Sequence, residues 1–161
     1  MIVYTDGSFG RKPRMGAYGA VIVTKDGKEY RIGGHTDKCK DNNVAEVYGI
    51  ASALKFITVN NLMTHKDDKV CVVMTDSQYA INHLDSPRKD EFEQRCYDYI
   101  RKFREFYTTR FFWIKGHVHD GTKVSHYNNM CDQIACDERL KGQQEVINMM
   151  DKIVKKKRLS K

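Results

Sequence analysis

Apolar and polar positions alternate or cluster in short blocks along the first third of the chain. Ile2 to Asp6, Ala17 to Val23 and Glu29 to Ile32 predict three strands, the last two joined by a hairpin turn at Lys25-Asp26-Gly27-Lys28. Between the first two, Gly7 to Pro13 carries the glycines and proline of a loop. The period then lengthens. Val47, Ile50, Ala51, Leu54 and Ile57 recur at helical spacing, so a helix is expected over Val44 to Val59, capped from Asp41-Asn42-Asn43. Val70 to Thr75 is an uninterrupted apolar run between Asp67-Asp68 and Asp76, as a buried central strand requires. A short helix is expected over Ser77 to Leu84, ending near Ser86-Pro87. A longer one over Glu91 to Tyr107 sets Phe92, Cys96, Tyr99, Ile100, Phe103 and Phe106 on its apolar side. Phe111 to Lys115 predicts a fifth strand. Gly116 to Asn128 reads as a polar loop with His117, His119 and His126, and two further helices are expected over Asn129 to Leu140 and Gln143 to Val154.

The order β β β α β α α β α α predicts an α/β domain: a five-stranded mixed sheet, three N-terminal strands antiparallel and two further strands parallel, flanked by helices. A length of 161 residues suits one domain with a short appendage. We expect a domain over residues 1–150 and a basic tail over 151–161. That tail holds six basic side chains against Asp151, hence five of the seven net positive charges. It reads either as a solvated helix end or as a contact for a polyanion.

Composition narrows the class. Forty per cent hydrophobic residues and two prolines exclude a disordered or collagen-like chain. No stretch approaches the roughly 18 apolar residues of a membrane span, and Met1 to Asp6 shows no signal-peptide pattern. Five cysteines without CxxC spacing point to a reduced, cytoplasmic protein lacking a zinc site.

Four acids stand out. Asp6 ends one apolar strand on the side of Ile2 and Tyr4, and Asp76 ends another. Each could be a turn-former or cap. Glu46 lies on the margin of its helix's apolar arc, where burial is costly without a cation or donors, although a helix N-terminus also favours an acid. Asp132 falls in the expected first turn of a later helix. If the four converge, mutual repulsion raises their pKa values unless cations neutralise them. Carboxylate oxygens without His or Cys suit Mg²⁺ or Mn²⁺, and two such ions form an arrangement that cleaves phosphodiesters.

Four segments carry a resemblance: Tyr4-Thr5-Asp6-Gly7-Ser8, Asn42-Asn43-Val44-Ala45-Glu46, Thr75-Asp76-Ser77-Gln78-Tyr79, and Trp113-Ile114-Lys115-Gly116-His117 followed by Asn128-Asn129-Met130-Cys131-Asp132. In this order they resemble the type 1 ribonuclease H family over about residues 1–141. The resemblance implies that Asp6, Glu46, Asp76 and Asp132 bind two Mg²⁺ ions, with Mn²⁺ an alternative. It implies a monomeric endoribonuclease that hydrolyses the RNA strand of RNA/DNA hybrids, leaving 5′-phosphate and 3′-hydroxyl ends. His117 matches the family's loop histidine, which aids proton transfer or product release, with His119 and His126 as alternatives. Gly7, Ser8, Asn42, Asn43, Gln78 and Asn128 match positions expected to contact substrate, Asn43 being equally a candidate cap.

The chain departs from the family pattern in three places. The interval from Asp76 to Trp113 is too short for the basic, Trp-containing handle of many bacterial members, as in retroviral domains. Trp113 itself reads as core, so hybrid affinity is expected to lean on Lys89, Arg95, Arg101, Lys102, Arg104 and the tail. Asp41 stands where a Thr that helps hold a DNA phosphate is frequent, and the loop from His117 to Asp132 is long. Competing readings are a catalytically silent binding domain, another two-metal nuclease of the wider superfamily, or a domain of a reverse transcriptase. Retention of all four acids disfavours the first. The Asn pair, Gln78 and the Lys-Gly-His loop disfavour the second.

Overall fold

A computed structural model describes residues 1–63 and 70–159. Asp67-Asp68, expected to bound the central strand, and the last two tail residues lie outside the described residues. The elements are β1 (Ile2–Arg11), β2 (Arg14–Val23), β3 (Glu29–Thr36), α1 (Asn42–Val59), β4 (Val70–Thr75), α2 (Gln78–Asn82), α3 (Glu91–Phe106), β5 (Thr108–Trp113) and α4 (Lys123–Leu159). The sheet order is β3-β2-β1-β4-β5. β1, β2 and β3 are antiparallel, whereas β4 runs parallel to both β1 and β5. The expected mixed five-stranded sheet is therefore present.

Alternation along the strands divides the interior. One face of the sheet turns Val3, Ala20, Ile22 and Val73 toward Val47, Ile50, Leu54 and Ile57 of α1 and Tyr97 and Ile100 of α3. All of these side chains are at most 1% exposed. Each fully buried aliphatic residue contributes about 1.5–3 kcal/mol, which makes this layer the main source of stability. The opposite face carries Tyr4 and Val21 against Cys131 of α4.

Several expectations are corrected. Residues 7–11 are strand, not loop: β1 continues in register with β2 as far as Arg11↔Arg14. Gly7 is there for close approach. A Cβ at Gly7 would lie 2.4 Å from the backbone nitrogen of Glu46, so only glycine lets α1 sit on the strand. The two C-terminal helices are one. α4 begins before Asn129 because Asp120 Oδ1 accepts hydrogen bonds from Thr122 N and Ser125 Oγ and organises its first turn. It also continues through Gly142, which packs against His35 and Met15 rather than ending the helix. Asp132 consequently lies in the third turn of α4, not the first.

Finally, β5 spans Thr108–Trp113 because β4 sets its length, from Val70↔Thr108 to Thr75↔Trp113. As an edge strand it leaves Trp113 49% exposed, which overturns its reading as core. Likewise Phe106 is 69% exposed, whereas Glu93 of the same helix is fully buried. Glu93 accepts from Tyr79 Oη at 2.6 Å, Arg88 Nε at 2.8 Å and Lys40 Nζ at 2.9 Å, which compensates its burial.

Candidate active site

β1 and β4 are neighbours with Thr5 opposite Thr75, so the residues that follow, Asp6 and Asp76, emerge side by side. Glu46 joins them because α1 lies against Gly7. Carboxylate oxygens of Asp6, Glu46 and Asp76 all lie within 4.8 Å of one another. Asp132 is outside this trio but lines the same cleft from α4. Its Oδ2 is 3.7 Å from His117 Nδ1, and its Oδ1 accepts from Cys136 Sγ at 3.6 Å. The cleft measures about 480 Å³.

Of the expected contact residues, Gly7, Ser8, Asn42, Asn43 and Gln78 line this cleft, and so does His117. His119 and His126 line a separate depression near the start of α4. Asn128 does not line the cleft. It is 2% exposed, and hydrogen bonding from its side chain lowers the pKa of Asp76 against the effect of burial. Neither Asn42 nor Asn43 caps α1. Asp41 does, its Oδ1 accepting from Val44 N at 3.0 Å, which leaves both amides for the cleft. Asn42 Nδ2 donates to Glu46 Oε1 at 3.4 Å. Ser77 and Tyr79 also line the cleft. Sequence patterning gave no role to either, although both sit inside or beside the Thr75 to Tyr79 segment. The arginines expected to bind hybrid are engaged within the chain: Arg95 with Glu91, Arg101 with Asp98 and Arg104 with Asp85.

The carboxylates are held under electrostatic stress. Burial, followed by the charges of Asp76 and Asp132, pushes the Asp6 carboxyl up to about 7, against the hydrogen bond it accepts from Gly7 N at 2.7 Å. Burial, then Asp6 and Asp76, drives Glu46 well above the usual carboxylate range. Asp76 is raised by burial too, although Asn128 and His117 oppose the shift. Glu46 Oε2 is buried without a hydrogen-bond partner. An orphaned acceptor among crowded, all-oxygen donors is the setting a hard divalent cation relieves. Asp6, Glu46 and Asp76 could hold such an ion.

A mixed sheet thus brings three carboxylates from neighbouring strands and a crossing helix into one cleft, a donor set that could hold a metal ion. The RNase H family model matches residues 1–139, and the chain belongs to the RNase H family of ribonuclease H enzymes. A curated ribonuclease H from Desulforamulus reducens is 26% identical over 147 residues, covering 83% of each chain. The fold resembles that of LC11-RNase H1 in complex with an RNA/DNA hybrid, with a TM-score of 0.65, 18% identity, and 88% of this chain and 97% of that one covered. It also resembles the prototype foamy virus protease-reverse transcriptase, with a TM-score of 0.69 and 16% identity, covering 86% of this chain and 20% of that one.

Proposed function

We propose that the chain is an endoribonuclease that hydrolyses the RNA strand of RNA/DNA hybrids with two Mg²⁺ ions, Mn²⁺ substituting, and leaves 5′-phosphate and 3′-hydroxyl ends. The observation that carries this reading is the convergence of Asp6, Glu46 and Asp76 within 4.8 Å beside Asp132 in a cleft edged by amides. The four carboxylates would hold the ions. When bound, the ions supply the positive charge that lowers the pKa of the attacking water and stabilises the departing oxygen.

The residues around them select and orient the substrate. Gly7 and Ser8 line the cleft and offer their backbone to the sugar-phosphate chain. Amides of Asn42, Asn43 and Gln78 both donate and accept, as recognition of a 2′-hydroxyl requires, and this separates RNA from DNA. Asn128 holds Asp76 in place. His117 is 75% exposed on a loop with a positive φ of 54°, and its Nδ1 lies near Asp132. From there it can pass a proton to the leaving 3′-oxygen or help expel product. Nothing in the cleft calls for a covalent enzyme intermediate in this scheme.

The same reading makes the protein a monomer of the reducing cytoplasm. Its five cysteines are free, and among the described residues no helix is long and apolar enough to cross a membrane. It also divides the chain into a catalytic domain over 1–150 and a basic tail over 151–161. The test is incubation with labelled hybrid, duplex RNA and duplex DNA, in Mg²⁺ or EDTA. Only the RNA of the hybrid should be cut, only with metal, and Asp76→Asn should lose at least a hundredfold in rate. Cleavage in EDTA, or equal cleavage of duplex DNA, refutes the proposal.

A further inference from the structure

Asp76 lies beyond the last residue of β4, so the ladder does not fix its backbone; contacts from the end of β5 do. Ile114 N donates to Thr75 O at 3.0 Å. One residue further, the indole Nε1 of Trp113 donates to Asp76 O at 2.9 Å. Trp113 is half exposed and sits on the edge strand, so its packing alone does not account for a large aromatic there. Its indole donor is committed to the carbonyl of Asp76, which, unlike Asp6 paired with Gly19, has no ladder partner. The segment that follows bears on the other end of the same residue. A Cβ on Gly116 would stand 2.1 Å from Asp76 Oδ2 and 3.1 Å from its Cγ, so the Asp76 carboxylate occupies the space that glycine leaves.

We propose that Trp113 and Gly116 are positioning residues for Asp76: the indole fixes its main chain and the missing side chain at 116 fixes where its carboxylate rests. The inference rests on the metal-binding reading above, because an aspartate needs such restraint when its oxygens must meet a cation. Neither residue touches substrate in this account. Both act through Asp76. Because Trp113 is the only tryptophan, its emission also becomes an intrinsic reporter of cation binding beside it.

The test is Mg²⁺ titration of wild type, Trp113→Phe and Gly116→Ala, followed by calorimetry, with thermal melting in EDTA to confirm that each variant is folded. Trp113→Phe keeps the ring and loses the donor, so Mg²⁺ affinity should fall roughly fivefold, the worth of one neutral hydrogen bond. Gly116→Ala should weaken binding at least tenfold, because the carboxylate must leave its place. Wild-type tryptophan emission should change on adding Mg²⁺, and the change should vanish in Asp76→Asn. If wild type binds no Mg²⁺, the metal reading fails and this inference falls with it. If wild type binds and Trp113→Phe and Gly116→Ala bind equally well, the positioning role alone is refuted. Should Gly116→Ala not fold, the Trp113→Phe affinity decides.

Discussion

Replacing Asp6 by Asn separates the cost of the site from the cost of the fold. In the unfolded chain this carboxyl titrates near 3.8, and in the folded protein burial and its acidic neighbours carry it to about 7. Between these values the folded state holds a proton that the unfolded state has released. Stability of the metal-free protein therefore falls as pH rises from about 4 to about 7 and stays low above that. A gap of about three pH units corresponds to a ceiling of about 4 kcal/mol. Asp6 is 5% exposed, so solvent screens little of it. Titration of Asp6 is coupled to that of its acidic neighbours, so a single substitution recovers less than this ceiling, about 2–3 kcal/mol. Asn retains an oxygen for Gly7 N and carries no charge. For a chain of this size that gain equals roughly 5–10 °C in Tm. Melting in EDTA at pH 8 should place Asp6→Asn above wild type by this margin, and the gap should have shrunk severalfold by pH 4.5 and close below about pH 4. Saturating Mg²⁺ should then raise wild type but not the variant. A variant that melts at or below wild type at pH 8, or an advantage that persists unchanged at pH 4.5, would show that the carboxylates are not crowded.

Glu93→Ala should lose about 2–3 kcal/mol in urea unfolding, because it removes the buried acceptor of Arg88, Tyr79 and Lys40, of which only the half-exposed Lys40 can turn to solvent. Glu93→Gln should lose less, and a cost below about 1 kcal/mol for alanine contradicts the network. Deleting residues 151–161 should weaken hybrid binding in fluorescence anisotropy and flatten its dependence on salt, since Lys152 and Lys155 are exposed and cationic. Affinity and salt slope that match the full chain rule out a phosphate contact by the tail.

Where one physical signal dominated, the sequence was legible. β4 coincides with the expected Val70 to Thr75 because a strand with neighbours on both sides needs an unbroken apolar run. The inner face of α1 follows its helical period, from Val47 to Ile57. Glycine was the ambiguous letter. Gly7 reads as a loop residue yet serves close helix–strand approach, and the two helices expected over Asn129 to Leu140 and Gln143 to Val154 run on as one through Gly142. Nothing local distinguishes these uses, because the deciding atom belongs to a residue distant in the chain. Glu93 escaped for the same reason: a glutamate on an amphipathic helix reads as solvated until Lys40, Tyr79 and Arg88 are seen around it. Trp113 reads as core because strand order, which makes β5 an edge, is not written in its own segment.

The site follows the same logic one level up. Alternation could place Asp6 on a face and the helical period could place Glu46 on a margin, but neither brings those faces to a common point. Only the order of four short segments implied convergence, and the geometry explains why such segments contain more than their acids. Gly7 follows Asp6 because Glu46 must come within contact of that strand. Gly116 precedes His117 because Asp76 Oδ2 lies where a side chain would stand. Each motif thus carries one carboxylate, or the vacancy that lets another reach it, so substitution of either glycine should impair cation binding while every acid remains in the sequence.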